Sequence, residues 1–125
     1  MKDNKSYTNL NVWISSRELV KQLYLFTKDF PKEEVYALTS QMRRAVISIP
    51  SNIAEGVARN HDKETIQFLH ISKGSIYELE TQLYLSYDIG YLNEDQLSLI
   101  LNKIEECKKL ISGFINYYRN KPQGN

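Results

Sequence analysis

Hydrophobic positions recur at steps of three and four along most of the chain, in four stretches separated by short punctuation. The last stretch is the most regular. Leu97, Ile100, Ile104, Cys107, Ile111, Phe114 and Tyr118 form an uninterrupted heptad seam, widened by Leu101, Leu110 and Ile115. A stripe this broad predicts burial in a bundle core and suits a subunit contact as well.

Cap and turn residues set the bounds. The first helix is expected over about Leu10 to Asp29. Phe30-Pro31 opens the second, with proline at the first helical position and Glu33 and Glu34 in the first turn, where negative charge suits the helix dipole. Asp62 is the expected cap of the third, which ends near Gly90, a residue suited to the left-handed position beyond a helix. Asn93, with Gln96 three residues on, reads as a capping box that opens a fourth helix running to about Arg119. Four long helices, short connections and no strand signal predict an all-α, antiparallel up-down-up-down four-helix bundle. It fills a single domain over 1–125, with an ordered core at about 10–119 and short tails.

The third stretch is less uniform. One seam reads Phe68, Ile71, Ser75, Glu78, Gln82, Leu85 and Ile89, so apolar ends flank a polar middle at core-like spacing. Another face reads Lys73, Tyr77, Glu80, Tyr84, Tyr87 and Tyr91. Tyr77, Tyr84, Tyr87 and Tyr91 suit an oligomer interface, since tyrosine supplies contact area at little entropic cost, and equally suit the border of the core.

The second stretch contains Pro50, which lacks the N–H that the Val46 carbonyl would accept and whose ring crowds that turn. Either Asn52 caps a fresh helix, with Glu55 three residues on, or the helix kinks and Ser48, Ser51 and Asn52 satisfy the freed groups. The kink at Pro50 is the favoured reading. Ser48, Asn52, Glu55 and Arg59 then share a face, which is expected to meet Ser75, Glu78 and Gln82 in a structural polar network between helices two and three. Gly56 and Gly74 are expected to permit close backbone approach there.

Composition narrows the function classes. With 125 residues, 42% hydrophobic and 25% charged, the chain can bury a core without staples. A single cysteine, Cys107, precludes an internal disulfide and fits a reducing compartment. No apolar run resembles a signal peptide or a membrane span, so a cytoplasmic protein with no membrane partner is expected. The net charge is +1, so any nucleic-acid binding must rest on a local patch. Residues 108–125 carry Lys108, Lys109, Arg119 and Lys121 with no acid, an arrangement that also complements a helix C-terminus.

Catalytic constellations are not apparent. Neither Glu55 nor Glu78 is followed by the histidine that a di-iron site requires, and His61 and His70 are too far apart to share a helix face as a zinc pair. No nucleophile adjoins a histidine and no phosphate-cradling glycine loop is present. The expectation is a non-enzymatic protein with no catalytic residues, metal or cofactor.

The run FPKEEVYALTSQMRRAVISIPSNIAEGVAR, followed by FLHISKGSIYELETQL, resembles the four-helix-bundle proteins encoded in intervening sequences of bacterial 23S ribosomal RNA genes, relatives of the accessory variability proteins of diversity-generating retroelements. The resemblance spans about Leu10 to Tyr118 and is densest at SIPSNIAEG and at Gly74 to Thr81. Ser72 and Lys73 stand where the family tends to have Ala-Arg, and Val57 where an aromatic is common. The resemblance implies a homopentameric ring without enzymatic activity. In the retroelement relatives, a basic surface is associated with binding nucleic acid and a reverse transcriptase. By position, Arg43, Arg44, Arg59 and Lys73 are the corresponding candidates here, with Lys63 added for its proximity in sequence.

Two function classes follow. One is an oligomer that binds RNA or DNA through charge and shape, its weak patches multiplied by the ring. The other is a protein-interaction scaffold with no physiological nucleic-acid ligand.

Overall fold

The computed structural model describes residues 7–122. The expected tails therefore lie partly outside the described residues. A short 3-10 turn at Tyr7–Asn9 leads into α1 (Asn11–Thr27), followed by a second 3-10 turn at Lys32–Glu34, α2 (Leu38–Val57), α3 (Asp62–Asp88) and α4 (Glu94–Arg119). Each helix packs on its two neighbours in a square: α2 on α1 and α3, and α4 on α3 and α1. This is the expected four-helix bundle.

The core is built from one stripe of each helix. It includes Leu19 and Leu23 of α1, Met42, Ile49 and Ile53 of α2, Leu69, Ile76, Leu79 and Leu83 of α3, and Ile100, Ile104 and Ile111 of α4, all fully buried. In α4 the heptad seam is buried from Leu97 to Ile111, but Ile115 takes the next core position while Phe114 and Tyr118 lie half-buried at the edge. Cys107 is buried against Ser15, with Oγ and Sγ 3.1 Å apart, and burial pushes its thiol pKa up.

The helix ends follow local chemistry with two exceptions. At α4, the Gln96 N–H donates to Asn93 Oδ1 (2.8 Å) and the Asn93 N–H to Gln96 Oε1 (3.0 Å), a complete capping box. At the end of α3, Gly90 has φ of 89°. The Tyr91 N–H then reaches the Ser86 carbonyl and the Gly90 N–H the Tyr87 carbonyl, a Schellman closure.

The first exception is Asp62, which lies inside the first turn of α3 rather than capping it. His61 holds the cap position. The second is the Phe30-Pro31 segment, which forms a separate turn and not the start of α2. Ala37, with φ −129° and ψ −104°, breaks the path. Glu34 instead bridges the gap, accepting the Leu38 N–H (3.3 Å) and the Tyr91 hydroxyl (2.7 Å).

The α3 seam is the main correction. The buried positions are Thr65, Leu69, Ser72, Ile76, Leu79, Leu83 and Ser86. The stripe with apolar ends and a polar middle lies outward, leaving Ile71, Leu85 and Ile89 exposed at 52%, 49% and 55%. Burial of Glu78 at that phase would strand a charge. The serines at the true phase satisfy their hydroxyls locally: Ser86 Oγ donates to the Gln82 carbonyl at 2.9 Å. Ser72 Oγ crosses to the Ile49 carbonyl at 2.8 Å, next to Pro50. α2 continues unbroken through Pro50, and Asn52 does not cap a new helix.

Candidate nucleic-acid interface

Adjacent residues on a helix point about 100° apart, and this separates Arg43 from Arg44. Arg43 faces α1: its Nε donates to Thr27 Oγ1 at 3.1 Å and its guanidinium lies 4.4 Å from the Tyr24 ring centre. Arg44 lies one turn before Ser48, the residue that contacts α3, and so points along the α2–α3 edge. It is exposed and makes no ion pair among the described residues. The pairing of Arg44 with Glu78 that the sequence allows is absent among those residues; the Glu78 carboxylate meets Gln82 Nε2 at 3.5 Å instead.

Arg59 sits at the opposite end of α2, on the turn into α3. It pairs with Glu55 at 3.7 Å and its guanidinium lies 4.6 Å from the Phe68 ring centre. Lys63 is exposed in the first turn of α3. Lys73 is half-buried and shares a face with Tyr77 and Glu80, which meet Lys108 of α4. The five candidate cations therefore lie on three sides of the bundle, and Arg44 and Arg59 are separated by about 22 Å along the helix at 1.5 Å per residue. One protomer does not gather them into a single patch.

The basic run near the C-terminus is largely engaged within the chain. Lys108 bridges Glu80 (3.0 Å) and Glu105 (2.9 Å). Burial lowers its pKa, but the hydrogen bonds and charges of these carboxylates outweigh that and hold it above the ordinary lysine value. Arg119 reaches His70 at 3.4 Å and Lys121 reaches Asp62 at 3.3 Å. These residues tie α4 to α3.

The proposed polar network is narrower than the sequence pattern suggests. Ser48 and Ser75 hydroxyls meet at 2.7 Å across α2 and α3, and Asn52 Nδ2 donates to the Ser48 carbonyl (2.8 Å) and hydroxyl (3.0 Å). Ser51, Glu55 and Glu78 are exposed on the outside, and Gln82 contacts only Glu78 within α3 among the described residues. Close approach is confined to Gly56, where an added Cβ would lie 2.9 Å from Phe68 Cβ; at Gly74 the space is open.

Two inter-helix hydrogen bonds were not anticipated from the sequence: Ser72 to Ile49, and Thr65 Oγ1 to the Gly56 carbonyl at 2.7 Å. Their signal was hydroxyl residues in phase with Leu69, Ile76 and Leu83.

Of the tyrosines, Tyr77, Tyr84 and Tyr87 are 49%, 48% and 39% exposed. Tyr91 is engaged within the chain, bonded to Glu34 and packed on Phe30 with ring centres 5.2 Å apart. Donation to the carboxylate raises its pKa, and burial adds to the shift. Among the described residues, no three His, Cys, Asp or Glu side chains gather as a metal site would require, and no helix is long and apolar enough to cross a membrane.

A family model described as 23S rRNA-intervening sequence protein matches residues 8–113. The fold is also similar to the crystal structure of a protein of unknown function from the S23 ribosomal protein family of Bacteroides thetaiotaomicron. The two are 25% identical with a TM-score of 0.75, over 83% of this chain and 97% of the other. No curated protein matches the sequence.

Proposed function

The chain belongs to the 23S rRNA-intervening sequence protein family, and from that premise we propose that it is a non-enzymatic, RNA-binding bundle that acts as a homo-oligomeric ring, a pentamer by family resemblance. The observation that carries this reading is the family match over most of the chain. The geometry supports it in two ways. Arg44 and Lys63 project outward and make no ion pair among the described residues. They are available to phosphates, unlike Arg43 and Arg59, whose guanidinium groups are already engaged.

Dispersal of the cations makes assembly part of the function. One protomer offers too few neighbouring charges to hold a phosphate backbone, whereas a ring repeats each of them around a single axis. The exposed Ile71, Leu85 and Ile89 of α3, together with Ile47 of α2, offer apolar surface for that assembly.

The test is fluorescence anisotropy of a structured RNA and a matched DNA duplex over a salt series, on protein whose assembly is checked by light scattering. Wild type is expected to bind RNA with a steep salt dependence. Arg44→Glu with Lys63→Glu should weaken binding about tenfold or more and make the salt slope shallower by roughly 0.9 per lost phosphate contact. Absence of wild-type binding at low salt by an intact oligomer, or indifference to both substitutions, would overturn the reading in favour of a protein-interaction scaffold.

A further inference from the structure

At the end of the bundle where α1 passes into α2, a cavity of about 290 Å³ is bordered by Thr27, Lys28, Lys32, Val35, Thr39 and Arg43. Three of these are cations, and no carboxylate lines the cavity among the described residues. Lys28 and Lys32 make no ion pair among those residues. Glu34, the nearest acid in the following turn, is engaged by the Leu38 N–H and the Tyr91 hydroxyl.

Two features mark this cavity as a built site. Thr39 is only 4% exposed, and its Oγ1 is buried with no hydrogen-bond partner. Buried hydroxyls are rarely left unpaired, so this one is placed for an acceptor that occupies the cavity. Arg43 is oriented independently: its Nε is held by Thr27 Oγ1 at 3.1 Å and its plane lies over Tyr24. The Nη groups of that rigid fork remain for an external oxygen, a geometry suited to phosphate. α2, a helix of 20 residues, starts beside them, and its cap residue Ala37 offers no side-chain acceptor. The positive end of the helix dipole thus adds to the same field.

We propose that this cavity is an anion site that binds a phosphoryl group, with Arg43 and Thr39 as its donors and Lys28 and Lys32 supplying charge. Resting on the RNA-binding reading, the phosphoryl group is a backbone phosphate of RNA; free inorganic phosphate shares the same chemistry. The sequence pointed to Arg43 through a resemblance, but the partners that make a site of it come from the loop and from α1.

The experiment measures thermal unfolding of the full chain in phosphate and in chloride at matched ionic strength, alongside RNA anisotropy over a salt series. Thr39→Val removes the hydroxyl while keeping its volume, and Lys28→Glu with Lys32→Glu reverses exposed charge without touching the core. Phosphate should raise the wild-type Tm in a concentration-dependent way, as a ligand of the folded state does. Both variants should lose that rise, and their salt slopes for RNA should fall by roughly 0.7 to 0.9.

Loss of the phosphate effect with unchanged RNA slopes would support the site and assign it to free phosphate. A phosphate effect in a wild type that binds no RNA would leave the site standing and sink the RNA-binding reading. Equal Tm values in phosphate and chloride, with unaltered RNA slopes in both variants, would overturn the inference even if RNA binding holds.

Discussion

At Gly56, a Cβ would stand 2.9 Å from Phe68 Cβ and 3.2 Å from the Thr65 carbonyl oxygen, and neither neighbour can move without shifting α3. The same carbonyl-lined contact includes Thr65 Oγ1, which donates to the Gly56 carbonyl at 2.7 Å. Gly56→Ala is therefore expected to cost about 1–3 kcal/mol, the usual range for overpacking. Gly74 is exposed, helical and unobstructed, so Gly74→Ala should stabilise by roughly 0.5–1 kcal/mol through helix propensity. Urea unfolding of the two variants checks both signs; equal effects would mean that the two helices can shift to relieve the contact. Sequence spacing treats these two glycines alike, because crowding at a Cβ depends on a neighbour in another helix.

Among the elements, α4 is the one most completely specified by its own residues. Its capping box is local, its seam is continuous and its acids Glu94 and Asp95 sit in the first turn, where the dipole favours them. Asn93→Ala should cost about 1 kcal/mol, read as a lower urea midpoint with an unchanged slope. A loss well below that would show that the α3–α4 turn is held by Gly90 and Leu92 instead.

The phase of α3 was harder to read for an identifiable reason. Thr65, Ser72 and Ser86 are polar by composition, yet they are buried, with their hydroxyls turned onto backbone carbonyls. Counting them as polar fragments the true stripe and favours the outward one. The start of α2 was misplaced for a related reason: a proline followed by acids signals a helical turn, but not how far that turn propagates.

For the molecule as a whole, the open question is what covers the outward faces of α3. Ile71, Leu85 and Ile89 share one stripe, and Tyr77, Tyr84 and Tyr87 lie on the side toward α4, all substantially exposed. If the ring forms through the first stripe, Ile71→Glu with Leu85→Glu should reduce the mass by light scattering to that of one protomer while helix content by circular dichroism is unchanged. Retention of the assembled mass would move the contact to the tyrosine side. Because neither residue lies in the core, unfolding is not the expected outcome.

The same scale decides the candidate site. The sequence presents five basic residues in order and cannot say that they lie on three sides of the bundle, nor that the Lys108 to Lys121 run is turned onto α3 by Glu80, His70 and Asp62. Conversely, Thr39 carries no sequence signal. It becomes notable only because the fold buries its hydroxyl beside Arg43.

The sequence by itself determined the number of helices, most of their ends and the class of the bundle, because caps, glycine closures and the three-four period act within a few residues of one another. Tertiary structure alone decided which of two overlapping stripes of α3 is buried, which glycine is crowded and which cations remain unpaired. Each of those depends on the atoms a neighbouring helix places opposite, and that placement is a property of packing.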